Sequence, residues 1–173
     1  MSVTPNRVGG GTAPANEITF EVPDVPDAAS LWRIARDSKA LDLNSSYAYL
    51  LWCRDFADTS VIARHHGDVV GFVTGYRRPT AADTLLVWQV AVDDEYRGRG
   101  LAGRLLDDLL DRLVPRGIRY LETTVTEDNA ASNRLFRSLA ARRRAGIDRT
   151  ELFGSADFPD DHEAEFRYRI GPL

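Results

Sequence analysis

The sequence predicts an α/β fold in one domain: a central mixed β-sheet flanked by helices on both faces. Three observations carry that prediction. Strand and helix patterns follow one another in the order β-α-α-β-β-β-α-β-α-β over nearly the whole chain. The 173 residues suit a single domain with a full-sized core. Near the middle, an apolar strand passes through a glycine-rich turn into a strongly amphipathic helix.

Each element has its own signal. Residues 1–17 hold Gly9-Gly10-Gly11 and two prolines with almost no apolar content, and read as a loose tail ahead of a domain spanning 18–173. Ile18 to Val22 alternates as a short strand. Asp24 and Pro26 announce a helix that carries Leu31, Trp32, Ile34 and Ala35. Asn44-Ser45-Ser46 caps a second helix from about Tyr47 to Phe56. Thr59–Arg64 and Val69–Tyr76 form a hairpin around His66-Gly67, closed by Pro79. Residues 84–92 are a strand rich in β-branched and aromatic side chains. A helix over about 99–114 follows, with Leu101, Leu105, Leu106, Leu109, Leu110 and Leu113 on one stripe. After Gly117 comes a strand over 118–125, then a helix capped by Asp128 or Asn129 and running to about Ala140. A long loop over 154–161 leads to a final alternating strand, 164–170.

Composition narrows the function. The net charge is −4 and the isoelectric point about 5.4, which leaves no basic footprint for nucleic acid. The chain has no apolar run long enough to span a membrane and no signal peptide, so a cytoplasmic location is expected. The single cysteine, Cys53, forbids an internal disulfide and reads as a packed core thiol. His65 and His66, as neighbours on a strand, would face opposite ways, so no metal site is assigned.

The most informative stretch is Arg97-Gly98-Arg99-Gly100-Leu101-Ala102. Glycines at a strand-to-helix junction let backbone N–H groups point outward, and the helix terminus and two arginines favour an anion such as a pyrophosphate. The spacing is not the dinucleotide fingerprint, nor is it a P-loop. It resembles the R/Q-x-x-G-x-G/A signature of the GCN5-related N-acetyltransferases, with Arg97, Gly100 and Ala102 in the defining places. The resemblance implies acetyl-CoA as cosubstrate, held by the amides of residues 97–102 and by the backbone of Val90, Ala91 and Val92. Asn129 falls at a further coenzyme-contacting position. Many members carry a proton-donating tyrosine about seven residues after that asparagine. Here Leu135-Phe136 stands in its place, which leaves the general acid open.

A second resemblance is more particular. Leu41-Asp42-Leu43-Asn44-Ser45-Ser46-Tyr47, Trp88-Gln89-Val90, Glu122-Thr123-Thr124 and the terminal Tyr168-Arg169-Ile170 look like the diaminobutyrate acetyltransferases of ectoine synthesis, over roughly Asp37 to the C-terminus. It implies transfer of acetyl to the γ-amine of L-2,4-diaminobutyrate, in the making of a compatible solute under osmotic stress, by a homodimer. The expected substrate contacts are Asp42, Asn44, Tyr47, Trp88, Glu122, Thr124, His162 and Glu163, with Glu165 a further acidic candidate. A primary ammonium has a pKa of about 10.4, so a base is needed, and Glu122, His162 and Glu163 are the candidates. Ornithine, lysine, a polyamine or a protein N-terminus is the competing acceptor. A non-catalytic coenzyme-sensing module is the reading from another class.

Overall fold

Seven strands form one mixed sheet in a computed structural model that describes residues 17–39 and 41–173. They are β1 (Thr19–Glu21), β2 (Val61–His65), β3 (Asp68–Arg78), β4 (Ala81–Val92), β5 (Tyr120–Thr126), β6 (Gly146–Phe153) and β7 (Glu165–Gly171), in the spatial order β1-β2-β3-β4-β5-β7-β6. The helices are α1 (Ala28–Ser38), α2 (Ser46–Asp55), α3 (Leu101–Leu113) and α4 (Ala130–Arg143). Except for Glu17, the tail expected over 1–17 lies outside the described residues.

The helices divide between the two faces. On one, Leu31, Ile34, Tyr49 and Cys53 of α1 and α2 pack on Ile62, Phe72 and Ala91. On the other, all six leucines of the α3 stripe are buried against Val73, Leu85 and Leu121, with Phe136 and Leu139 of α4. Burial of each such leucine contributes about 1.5–3 kcal/mol. The strand period of two therefore sends Leu121 and Val125 of β5 towards α3 and α4, and Glu122 and Thr124 to the opposite face.

One irregularity shapes the centre of the sheet. The β3–β4 register jumps from Thr74↔Gln89 to Gly75↔Val87, which leaves Trp88 as an extra residue. Such a bulge bends its strand and shifts its alternation. Before it, Leu85 and Val87 face α3; after it, Gln89 and Ala91 face α1 and α2. Gly75 stands opposite because a Cβ there would lie 2.8 Å from the Leu86 carbonyl oxygen. The parallel β4–β5 ladder holds only at Thr84–Leu86 against Tyr120–Glu122. Beyond it the strands part.

Two local expectations are corrected. The sequence pattern assigns no element to 146–153, where the structure has strand β6. All eight of its residues are exposed, so it has no apolar face to signal it, and its order comes from backbone pairing with β7. His66 is in the β2–β3 turn at φ +52°, not on a strand, and its ring lies 3.9 Å from that of His65. Among the described residues no three His, Cys, Asp or Glu side chains gather as a metal-binding set.

Candidate active site

Where β4 and β5 part, a cleft of about 300 Å³ opens between Val87–Val90 and Thr123–Thr126. It adjoins a cavity of about 910 Å³, and Leu41, Val90, Asn129 and Ser132 line both. The two together have the size and concavity of a small-molecule site. On the cleft side, β4 beyond Leu86 has no ladder partner on β5; the Val87 carbonyl accepts instead from the Thr123 hydroxyl and the Val92 carbonyl from Arg97, and the groups of Val90 between them face the opening.

The larger cavity has the makings of an anion cradle. Gly98 and Gly100 have φ of +73° and +71°, a left-handed conformation that favours glycine. Gly100 is the N-cap of α3 and supplies no side-chain cap, so the first-turn amides have no acceptor within the protein's helix. Arg97 is fixed by a bond from its Nε to the Val92 carbonyl (3.2 Å) and by an ion pair with Asp94 (2.9 Å). Arg104 and Arg134 add positive charge to the wall, and Arg142 lies there paired to Asp107. Uncapped amides, a helix terminus and several guanidinium groups fit the phosphates of coenzyme A. The opened edge of β4 fits its amide-bearing arm. Asn129 accepts from the Ser132 amide (3.0 Å), so its side chain caps α4 while the residue lines both cavities.

The smaller cleft ends in acidic groups. Asp42, Asn44, Trp88, Thr124, His162 and Glu165 line it. Gln89 anchors the α1–α2 loop: the Tyr49 hydroxyl donates to Gln89 Oε1 (3.0 Å), and Gln89 Nε2 donates to the Asp42 carbonyl (2.9 Å). Because a carbonyl only accepts, His162 Nδ1, 2.7 Å from the Glu163 carbonyl oxygen, must carry a proton. Its Nε2 then faces Asp42 Oδ2 (3.5 Å) and Glu165 Oε1 (3.8 Å). The bond to Glu163, opposed by partial desolvation and reinforced by Asp42 and Glu165, raises the imidazole pKa above its ordinary value. Burial also raises the Glu165 carboxyl, despite a hydrogen bond from Thr124 and the charge of His162. Phe136 is buried and lines the cleft without a proton to give.

This geometry agrees with sequence comparison. Residues 28–140 match the Acetyltransferase (GNAT) family. The chain belongs to that family. An L-2,4-diaminobutyric acid acetyltransferase of Streptomyces coelicolor is 61% identical over 165 residues, covering 94% of this chain and 97% of the relative. One of Marinococcus halophilus is 45% identical, covering 96% and 97%. Among solved structures, diaminobutyrate acetyltransferase EctA from Paenibacillus lautus, in complex with L-2,4-diaminobutyric acid and coenzyme A, superposes with a TM-score of 0.86 at 40% identity. That alignment covers 91% of this chain and 96% of EctA.

In this GNAT chain the structure gathers most, but not all, of the residues picked from sequence. Val90, Ala91, Val92, Arg97, Gly98, Gly100, Leu101, Ala102 and Asn129 surround the larger cavity. Arg99 does not line it; its guanidinium lies 5.7 Å over the Tyr96 ring. Tyr47 does not line the cleft and is 65% exposed, on the outer side of the first turn of α2. Glu163 is exposed as well and contributes its backbone carbonyl rather than its carboxylate. Glu122 is buried but bound: it accepts from Arg78 (2.6 Å) and Arg169 (2.7 Å). Burial pushes its carboxyl up, and those two arginines more than reverse the effect, leaving it below the ordinary glutamate value. A carboxylate so held is a poor proton acceptor. Glu165, not Glu163, brings its carboxylate to the cleft, and strand alternation from Tyr168 does not separate the two. Ser132 and Arg134 were also missed; their positions one turn into α4 were the available signal.

Proposed function

We propose that this chain transfers the acetyl group of acetyl-CoA to the γ-nitrogen of L-2,4-diaminobutyrate, giving N-γ-acetyl-2,4-diaminobutyrate in ectoine synthesis. The observation that carries the reading is the junction of an arginine-rich anion cradle with a small cleft that ends in Asp42, His162 and Glu165. An acceptor with two ammonium groups needs such carboxylates. The 61% identical relative named for this substrate points the same way.

Bound acetyl-CoA supplies an acyl group activated as a thioester. The chain's own residues do the rest. The amides of residues 98–102 and Arg97 hold phosphate, and the edge of β4 at Val90–Val92, free of a ladder partner on β5, aligns the arm leading to the cleft. Trp88 covers the short aliphatic chain of the acceptor, braced by Trp52 at 6.2 Å between ring centroids. A primary amine is almost entirely protonated at neutral pH, by roughly a thousandfold. His162, neutral at Nε2 and flanked by Asp42 and Glu165, takes the proton from the γ-ammonium and releases it to solvent. A thiolate with a pKa of about 8.5 leaves without a strong acid, which accommodates Phe136.

We also infer a cytoplasmic homodimer. Ile147, Leu152 and Phe153 on the exposed edge strand β6 offer apolar surface to a second copy, and light scattering of the purified chain at about twice the 19.3 kDa monomer mass would bear this out. The activity is tested by coenzyme A release with diaminobutyrate, ornithine, lysine and spermidine. One added methylene changes specificity by about 10–200-fold, so diaminobutyrate should exceed ornithine by at least tenfold in kcat/KM. Equal rates on all four amines would instead support a general amine acetyltransferase, and binding of coenzyme A without turnover would support a sensing module.

A further inference from the structure

Three buried side-chain polar atoms among the described residues have no hydrogen-bond partner: Thr74 Oγ1, Glu165 Oε2 and Arg167 Nε. Buried polar groups are nearly always paired, so each such atom calls for an explanation. Two of the three stand two positions apart on β7. Alternation puts Glu165 and Arg167 on one face of that strand, about 7 Å apart along the backbone. Glu165 lines the cleft, and Arg167 is opposite Thr124, which lines it too.

Arg167 stands next to the cleft lining rather than in it, and its ion pair with Glu122 is loose. Its Nη1 is 3.9 Å from Glu122 Oε1, but that carboxylate already accepts shorter bonds, Oε1 from Arg169 and Oε2 from Arg78. Three arginines around one glutamate leave an excess of positive charge on the sheet face that continues from the cleft. An unmatched carboxylate oxygen and an unmatched guanidinium N–H on one face of one strand are the electrostatic complement of an α-amino-acid head group, whose ammonium and carboxylate share one carbon.

We propose that Arg167 binds the substrate carboxylate while Glu165 receives the α-ammonium, so that this pair selects an α-amino acid over a simple diamine. The assignment rests on the reading of the cleft as an amine-acceptor site. It also explains regiochemistry: with the α-amino head held on β7, only the distal amine extends towards β4. Glu122 acts here as a positioning residue that occupies Arg78 and Arg169 and keeps the neighbouring guanidinium groups in place.

The test compares L-2,4-diaminobutyrate with L-2,4-diaminobutyramide, which keeps both amines and lacks the carboxylate, as substrates and as competing ligands. Arg167→Gln should raise KM for diaminobutyrate about 10- to 100-fold with kcat little changed, as expected for loss of a charge-assisted bidentate contact. It should leave the amide's kinetics within about twofold of wild type. Arg167→Lys should recover part of the loss on diaminobutyrate only, and carries the same comparison if the glutamine variant does not fold. Equal losses on both substrates, or no loss on diaminobutyrate, would overturn the assignment. Failure of the wild-type chain to acetylate diaminobutyrate would overturn the proposed function, and this assignment with it.

Discussion

Replacing Glu122 with glutamine separates a structural ion cluster from a catalytic base. The Glu122 side chain is 3% exposed and accepts bonds of 2.6 and 2.7 Å from Arg78 and Arg169. Breaking a buried pair by removing one partner costs about 3–5 kcal/mol. The two arginines keep 36% and 31% exposure and can rehydrate, so about 2–3 kcal/mol is the fitting figure here. For a domain of this size that is a fall in Tm of about 5–10 °C. Because the folded carboxyl is held below its ordinary value of 4.5, the stabilisation is complete above that pH and is lost as pH falls through the lowered folded value. Urea unfolding followed by circular dichroism at pH 7 and in acid should show the gap between wild type and Glu122→Gln shrinking in acid. The acid limb of kcat/KM should persist in the variant. A gap below about 0.5 kcal/mol at pH 7, or an unchanged Tm with the acid limb abolished, would refute the reasoning and restore Glu122 as the base.

Other perturbations act elsewhere in the molecule. Gly100→Ala places a Cβ at φ +71° with nothing within 4 Å of it, so only backbone strain opposes it. A cost of about 1–2 kcal/mol and a several-fold weaker coenzyme A affinity by calorimetry are expected, with KM for the amine unchanged. Asp42→Asn removes one of the groups that raise the His162 pKa, so the acid limb of kcat/KM should move to lower pH, and His162→Gln should abolish that limb. Burial, helped by the nearby Asp27 and Asp24 charges, pushes the Cys53 thiol up to about 12, so a thiol reagent at pH 8 should label the native chain far more slowly than the urea-unfolded one.

The parts of the site that could be read from sequence are those built from contiguous residues. Arg97 to Ala102 carries its strand end, glycines and helix start in one segment, so its cradle was visible before any packing was known. The leucine stripe of α3 was legible for the same reason. Contacts between distant segments were not. Glu122 meets Arg78 and Arg169 at separations of 44 and 47 residues, and nothing near it in sequence distinguishes an ion-paired carboxylate from a catalytic one. Glu163 precedes β7 and Glu165 begins it, so what separates the exposed carboxylate from the cleft-lining one is the exact start of the strand, which sequence patterns do not fix to a residue. Tyr47 depended on the rotation of α2, whose apolar residues cover more than one face. The strand β6 lay hidden because an edge strand exposed on both faces needs no hydrophobic alternation.

The most direct test of the central claim is NMR of the product formed from L-2,4-diaminobutyrate and acetyl-CoA. The account predicts a single product whose new amide proton couples to the γ-methylene. An amide coupled to the α-CH, or a mixture of the two, would contradict the placement of the α-amino head on Glu165 and Arg167 and of the distal amine at the β4–β5 cleft.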